Sequence, residues 1–137
     1  MSRPRRYAIS AEPSLLDVKA IHRFLSGSYW AKGRRRAVVK KSLKHSFCLG
    51  VYLGREQVGL ARVITDYATF AYLCDVYIQP DHQARGLGKR LVSAVMKAPA
   101  LKKVPSWCLR TRDAHGLYRQ LGFKIDRRSS RWMRLRR

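Results

Sequence analysis

The chain of 137 residues carries 30 Lys and Arg against eight Asp and Glu, a formal net charge of +22 at pH 7. The length predicts one domain, residues 1–137, with a real hydrophobic core, and every apolar run is far shorter than the ~18 residues of a membrane span. No apolar segment follows the basic start at Met1 to Tyr7, so we expect a cytoplasmic protein rather than a secreted one. The charge favours acidic partners and non-specific nucleic-acid contact, although a solvated basic surface also accounts for it.

The predicted elements follow the order β-α-α-β-β-β-α-β-α-β-β. The chain begins with a strand at 7–9, a helix opened by Pro13 or Ser14, and a basic helix at about 34–45 with Val38, Val39 and Leu43 facing inward. Strands at 47–53, 57–64 and 70–79 follow, and then a helix to about 97. The last elements are a strand at 106–110, a helix capped by Asp113, and final strands at 123–125 and 131–135. The strand at 70–79 is apolar on both faces. It is therefore predicted to be central in the sheet.

A glycine-bearing loop, residues 83–89 with the sequence QARGLGK, links that central strand to the next helix. A helix start has unpaired N–H groups and a partial positive charge, which suit a phosphate. Gly86 and Gly88 let the backbone approach such a phosphate because they carry no Cβ. A Walker A loop needs Ser or Thr where Arg90 stands, and a Gly-x-Gly-x-x-Gly loop needs glycine where Leu91 stands. The Walker A and Gly-x-Gly-x-x-Gly nucleotide-binding loops are therefore excluded. An ordinary helix start remains the alternative to a phosphate-binding loop.

A second pattern, Leu117-Tyr118 with Gly122-Phe123, follows one predicted strand later. Residues 83–88 resemble the Gln/Arg-x-x-Gly-x-Gly/Ala loop of the GCN5-related N-acetyltransferase (GNAT) superfamily, and the second pattern resembles its Leu-Tyr-x-x-x-Gly-Phe element. The stretches 65–73 and 111–118 are similar to a subgroup of short bacterial GNAT proteins, so the resemblance covers essentially the whole chain. It implies an α/β (α+β) fold with a mixed, mostly antiparallel central sheet flanked by helices.

The resemblance also implies that acetyl-CoA is the cosubstrate, that no metal takes part, and that the acetyl group passes directly to a primary amine in a ternary complex. Tyr118 would be the general acid that protonates the departing CoA thiolate, and its alternative is a buried aromatic residue with a hydrogen-bonded hydroxyl. Thr111 stands where the family often has Asn, so one cofactor contact is expected to differ. The residues implied in cofactor binding are Val76, Tyr77, Ile78, Gln83, Ala84, Arg85, Gly86, Leu87, Gly88, Lys89, Arg90 and Thr111.

The general base is sought among the carboxylates, and Asp75 is the candidate because a carboxylate in an apolar central strand is costly unless it is paired or useful. Its alternative is a structural acceptor for a neighbouring backbone group or Arg. The acceptor side is expected to include Tyr29, Trp30, Asp66, Tyr67 and Tyr72, each of which has an ordinary turn or core role as its alternative.

Several questions stay open at this stage. A basic nucleic-acid- or ribosome-associated binding module on the same scaffold is the alternative function, and a sensor that binds acyl-CoA without turnover is a third. The acceptor amine, a small molecule or a protein, is not identified, and the choice between monomer and homodimer is open. Cys48, Cys74 and Cys108 are expected to be buried free thiols.

Overall fold

The computed structural model describes residues 6–137 and contains a five-stranded sheet in the order β1-β2-β3-β4-β5. The first four strands, β1 (Tyr7–Ser10), β2 (Phe47–Leu53), β3 (Glu56–Thr65) and β4 (Phe70–Ile78), form an antiparallel meander. The fifth strand, β5 (Ser106–Leu109), pairs with β4 in parallel. Parallel neighbours need a long crossover, and here the intervening chain supplies it as a helix.

Four α-helices cover the two faces of this sheet within residues 6–137: α1 (Val18–Ser26), α2 (Arg36–Lys44), α3 (Leu87–Lys97) and α4 (His115–Gln120). One hydrophobic core joins the sheet to α3 and α4, and its fully buried side chains include Val51, Val63 and Leu91. A second, smaller core packs Ile21 and Val39 of α1 and α2 against the opposite face. No helix in the described part of the chain is both long and apolar enough to span a bilayer.

The central strand contains a β-bulge that shapes the middle of the molecule. Cys74 pairs with Arg62 of β3, but Tyr77 pairs with Leu60, so two residues of β4 lie opposite Ala61. At the bulge Asp75 has a left-handed backbone, with φ of 50°. Such a bulge bends its strand, and the pairing of β4 with β5 runs only from Phe70–Ser106 to Leu73–Leu109. β5 ends at Leu109, so beyond Leu73 this edge of β4 has no strand partner, and this unpaired stretch is called the gap between β4 and β5.

The observed fold confirms the predicted class and the meander followed by a crossover. All three cysteines are free thiols, as expected, with Cys48 buried and the other two half-buried.

Three local predictions were wrong. The first helix begins at Val18, because the side chain of Asp17 accepts a hydrogen bond from the Ala20 N–H at 3.0 Å and caps it, while Pro13–Leu15 form a separate 3-10 turn. Val38 is 52 % exposed, and α4 is preceded by Ala114 rather than capped by Asp113.

The two final strands predicted at 123–125 and 131–135 do not form. The described residues 123–137 hold one short 3-10 turn, Ser129–Arg131, and Met133 and Leu135 are 95 % and 80 % exposed. A strand needs a pairing partner and a buried face. The outer edge of β5 stays unpaired in the described residues, and this arginine-rich segment buries neither Met133 nor Leu135 against it. The basic stretch at residues 1–5 lies outside the described residues.

Candidate active site

The start of α3 offers free backbone donors at the end of the glycine-bearing loop. Gly86, the residue before the helix, has φ of 76°, and no side chain caps the helix. The first backbone bond of the helix runs from the Arg90 N–H to the Gly86 carbonyl at 3.1 Å, so the N–H groups of Leu87, Gly88 and Lys89 precede the helical ladder. The uncapped end therefore has the donors and the partial positive charge that suit a phosphate.

Space at this helix end is kept open by Gly88. A Cβ built on Gly88 meets no heavy atom within 4 Å, so the protein itself does not require glycine there for packing. The exposed residues Arg85, Lys89 and Arg90 flank this helix start in the sequence, and the Arg90 guanidinium donates a hydrogen bond to the Tyr7 carbonyl at 3.1 Å. This combination of an open backbone approach and full positive charge is the cradle that a pyrophosphate requires.

Neighbouring residues fix the loop in position. The Gln83 side-chain amide donates to the Ile78 carbonyl at 2.8 Å, and Ala84 takes a left-handed φ of 61°. His82 is buried and hydrogen-bonded to the Tyr7 hydroxyl at 2.8 Å. Leu87 is buried in the larger core and anchors the first turn. Among the residues predicted to bind the cofactor, Gln83 and Leu87 thus have structural contacts of their own.

The strand segment Val76–Ile78 runs along the gap between β4 and β5. The Tyr77 ring stacks on Phe24 with centroids 3.8 Å apart, and its hydroxyl is buried with no hydrogen-bond partner among the described residues. Burial raises the pKa of Tyr77 well above its usual value. Beyond Leu73 the backbone edge that faced β5 has no strand beside it. This edge is accessible for hydrogen bonds to an extended ligand.

Tyr118 is buried in α4, the helix that follows β5 in the chain. Its ring packs edge-on against Phe123 with centroids 5.9 Å apart. Burial raises the pKa of the phenol above its ordinary value, so the hydroxyl stays protonated at neutral pH. Tyr118 also lines an open cavity of about 950 Å³ together with Tyr72, Cys108 and Arg110. The predicted proton donor thus lies where β5, α4 and the C-terminal segment meet.

Asp75 is 5 % exposed and lies at the centre of a polar cluster. Its Oδ2 accepts hydrogen bonds from Arg62 Nε at 2.8 Å and Arg34 Nη1 at 2.9 Å, and its Oδ1 accepts one from Trp30 Nε1 at 2.8 Å. Burial alone would raise the pKa of Asp75, but the charges and hydrogen bonds of these donors outweigh it and hold the pKa below its usual range. A low pKa and occupied oxygens weaken a base. The geometry therefore favours the structural-acceptor role for Asp75 over the general-base role.

The loop between α1 and α2 presents two aromatic side chains beside this cluster. Ser28 is buried and accepts a hydrogen bond from the Ala31 N–H at 3.1 Å, which tightens the loop. Trp30 contacts Asp75 as described, and Tyr29 lies edge-on to Trp30 with centroids 5.1 Å apart. Tyr29 is 50 % exposed, so the loop forms a partly open wall on this face of the sheet.

The other predicted acceptor-side residues are divided between two places. Tyr72 lines the cavity with Tyr118. Asp66 and Tyr67 lie in the turn before β4, at the opposite end of the strand from Val76. The Asp66 carboxylate accepts hydrogen bonds from the N–H groups of Thr69 at 2.7 Å and Ala68 at 2.9 Å, and these bonds, with the Thr69 hydroxyl, lower its pKa. Asp66 therefore stabilises a turn.

The structure places three arginines at the site, and the sequence analysis had singled out none of them: Arg34, Arg62 and Arg112. The first two bind Asp75, and the guanidinium carbon of Arg112 lies 3.8 Å from the Tyr29 ring centroid. A buried carboxylate predicts a cationic partner, but choosing among 30 Lys and Arg requires the strand register. Thr111 stands where the family often has Asn. Its hydroxyl accepts a hydrogen bond from the Ala114 N–H at 3.0 Å and so orders the residues just before α4.

Comparison with known proteins agrees with this architecture. The sequence model of the family described as "Acetyltransferase (GNAT) domain" matches residues 44–125. A Gibberella zeae protein assigned as an acetyltransferase is 35 % identical over 142 residues, a match that covers 86 % of this chain and 79 % of the relative.

Solved structures extend the comparison to the whole fold. A Xanthomonas campestris crystal structure assigned to the GNAT family superimposes with a TM-score of 0.91 at 43 % identity, covering 96 % of this chain and 93 % of the other. A Staphylococcus aureus protein has a TM-score of 0.76 at 19 % identity, covering 96 % and 100 % of the two chains, and supports the fold alone. The alternative of a basic nucleic-acid-binding module gains no support from these matches.

Proposed function

Because the chain belongs to the GNAT acetyltransferase family, we propose that it transfers the acetyl group of acetyl-CoA directly to a primary amine within a ternary complex. The observation that carries the proposal is the uncapped start of α3 beside the gap between β4 and β5. A helix N-terminus binds the pyrophosphate, and the gap accepts the extended pantetheine arm. In this proposal the thioester ends at the gap within reach of the Tyr118 hydroxyl.

Each part of the cradle has a proposed role. Backbone N–H groups of Leu87, Gly88 and Lys89 donate to the pyrophosphate, and the guanidinium and ammonium groups of Arg85, Lys89 and Arg90 neutralise its charge. Backbone groups of Val76, Tyr77 and Ile78 form the strand-like edge along the pantetheine. Gln83, Ala84 and Gly86 hold the loop in the shape that presents these donors, and Thr111 orders the opposite wall.

The reaction needs a neutral amine, an oxyanion stabiliser and a proton for sulfur. The amine nitrogen attacks the thioester carbonyl, the N–C bond forms, and the resulting oxyanion accepts hydrogen bonds from the unpaired backbone edge of β4. When the carbonyl re-forms and the C–S bond breaks, the Tyr118 hydroxyl gives its proton to the thiolate. The nitrogen of the intermediate loses one proton, and this proton returns to the Tyr118 phenolate through solvent. With the oxygens of Asp75 occupied, the proton of the attacking ammonium leaves to water through the open acceptor side. No metal is needed for any of these steps.

The experiment that tests this function measures acetyl-CoA binding by calorimetry and thiol release across a panel of primary amines. We expect saturable binding of acetyl-CoA and amine-dependent release of free CoA. A protein that binds acetyl-CoA but releases no thiol with any amine would fit the acyl-CoA sensor instead. A protein that does not bind acetyl-CoA would contradict the proposal at its first step.

A further inference from the structure

The charge around the proposed transfer centre is strongly one-sided. The cavity that contains Tyr118 is lined by six Lys and Arg side chains and by one acidic side chain, Asp126. Asp126 already lies 3.8 Å from Arg128. Deeper in the site, the single carboxylate of Asp75 is shared by two arginines. The described part of the site therefore carries an excess of positive charge that the protein does not neutralise.

Two arginines follow β5 directly and have no carboxylate partner within residues 6–137: Arg110 and Arg112. Arg110 lines the cavity beside Tyr72 and Tyr118. Arg112 stacks on Tyr29, with its guanidinium carbon 3.8 Å from the ring centroid, and its own backbone N–H lies 3.4 Å from the Tyr29 hydroxyl. Both arginines are exposed residues, and Arg112 lies against Tyr29 of the aromatic wall. They are available to a bound molecule.

Stacking gives Arg112 the geometry of an anion receptor. A guanidinium held flat over an aromatic ring keeps its N–H edges free. Those edges match two oxygens of a carboxylate or a phosphate and can bind them in a bidentate manner. Contact with the ring already restricts the Arg112 side chain, so less side-chain freedom is lost when the anion binds.

The same positive field acts on the amine. Nearby positive charge disfavours the protonated form of an amine and lowers its pKa, which supports loss of its proton where no carboxylate is free to act as a base. A polycationic acceptor is repelled by this field. An acceptor with an anionic group is attracted, and its amine is still shifted toward the neutral, reactive form.

We propose that the acceptor is a small amine that also carries a carboxylate or a phosphate, and that Arg112 and Arg110 bind this anionic group while the amine faces the thioester beside Tyr118. This inference rests on the acetyl transfer proposed above and names the substrate class of that site.

The test compares acceptors of similar length and amine basicity whose far ends differ in charge: aminovalerate, aminovaleramide and cadaverine. Phosphoethanolamine and ethanolamine form a second pair that separates phosphate from carboxylate. We expect kcat/KM to fall by about tenfold from aminovalerate to its amide, as a charge-assisted hydrogen bond implies, and to be lowest for cadaverine. Equal or higher kcat/KM for aminovaleramide and cadaverine, with no preference in the phosphate pair, would overturn the proposal.

Variants assign the effect to named residues. Arg112→Gln should raise KM for aminovalerate about tenfold and leave both kcat and the KM for aminovaleramide nearly unchanged. Arg112→Lys should recover part of the loss, because lysine keeps the charge but not the fork. Lys103→Gln removes one charge from an exposed residue before the other end of β5 and serves as the matched control. An equal loss with Lys103→Gln would show that only the overall charge matters, and would overturn the site.

A binding measurement separates this inference from the proposed function. Calorimetry with aminovalerate and aminovaleramide, on the protein with and without CoA, does not depend on turnover. Binding of aminovalerate that requires Arg112, without any thiol release, would support the anion site and contradict acetyl transfer. Thiol release with all acceptors, without a preference for the anionic ones in rate or binding, would support acetyl transfer and contradict the anion site.

Discussion

At the scale of single residues, Asp75 connects the two halves of the site. Its left-handed backbone lies at the bulge in β4, two residues beyond the last β4–β5 pair, and its carboxylate binds Trp30 and Arg34 of the loop between α1 and α2. Aspartate tolerates this conformation better than most residues. The buried hydrogen bonds from Arg62 and Arg34 then hold it there, so one side chain sets both the gap and the aromatic wall.

Replacing this carboxylate by an amide should separate its structural role from a catalytic one. Asp75→Asn leaves Arg62 and Arg34 without their anion, and we expect a loss of about 3 kcal/mol in the free energy of unfolding, together with weaker acetyl-CoA binding. The acidic limb of the pH–rate profile should remain in the variant. Urea unfolding, calorimetry and initial rates check these effects. Disappearance of that limb with unchanged stability would identify Asp75 as the base.

The low pKa of Asp75 also predicts how stability depends on pH. Its folded pKa lies below the unfolded value of about 3.9, so its stabilising contribution is fully present above that value and is lost as pH falls through the folded pKa. Urea midpoints measured from about pH 6 down to about pH 3 should fall less steeply for Asp75→Asn than for the wild type. Glu56→Gln, on an exposed residue, is the control and should follow the wild-type curve.

At the scale of elements, the start of α3 is predictable from the local sequence, and in the folded protein it leaves space beside Gly88. The loop and the helix follow each other directly, so the positions of Gly86, Gly88 and the helical apolar residues suffice to predict them. Nothing in the folded protein fills the space above Gly88. Packing therefore does not explain the glycine, whereas the proposed pyrophosphate does.

A bulky side chain at Gly88 should act on the ligand alone. A Cβ at position 88 meets no heavy atom within 4 Å, and leucine improves helix propensity, so for Gly88→Leu we expect unchanged or slightly higher thermal stability and loss of acetyl-CoA binding. Ala37→Leu, at an exposed position of α2, is the matched control and should bind normally. Acetyl-CoA affinity that survives Gly88→Leu would show that the pyrophosphate is bound elsewhere.

Local patterns could not predict the features that depend on distant partners. The bulge at Asp75 is stabilised by Arg62, 13 residues away, and by Arg34, 41 residues away. Contacts between residues so far apart in sequence do not change the residue pattern of the strand. The alternation of apolar and polar residues around Met133 and Leu135 predicted a strand. Such alternation gives the periodicity of a strand, but it does not show that a neighbouring strand is present to pair with it. The acceptor-side loop was predicted by its aromatics, whereas its partner Arg112 required the fold.

At the scale of the whole molecule, the net charge of +22 sets the electrostatic conditions of the site. A surface of this kind attracts small anions and also contacts nucleic acid without sequence preference. The two effects differ in range and in position. Contact with nucleic acid spreads over many lysines and arginines, whereas the proposed anion site depends on Arg110 and Arg112.

Ionic strength should therefore separate these contributions. We expect binding to a mixed-sequence oligonucleotide to fall steeply between about 50 mM and about 200 mM salt. The KM for aminovalerate should rise more gently over this range, and the KM for aminovaleramide should hardly change. Fluorescence anisotropy and initial rates measure the two responses. Oligonucleotide binding that resists salt would instead indicate a dedicated nucleic-acid site.

The central claim is that Tyr118 supplies the proton for acetyl transfer from bound acetyl-CoA, and Tyr118→Phe tests it most directly. Phenylalanine keeps the ring contact with Phe123 and removes only the hydroxyl. With wild type and variant measured side by side for acetyl-CoA affinity and for thiol release with the best amine, we predict unchanged affinity and a fall in kcat of about 100-fold. Equal kcat in the two proteins, with acetyl-CoA bound equally well, would contradict the account.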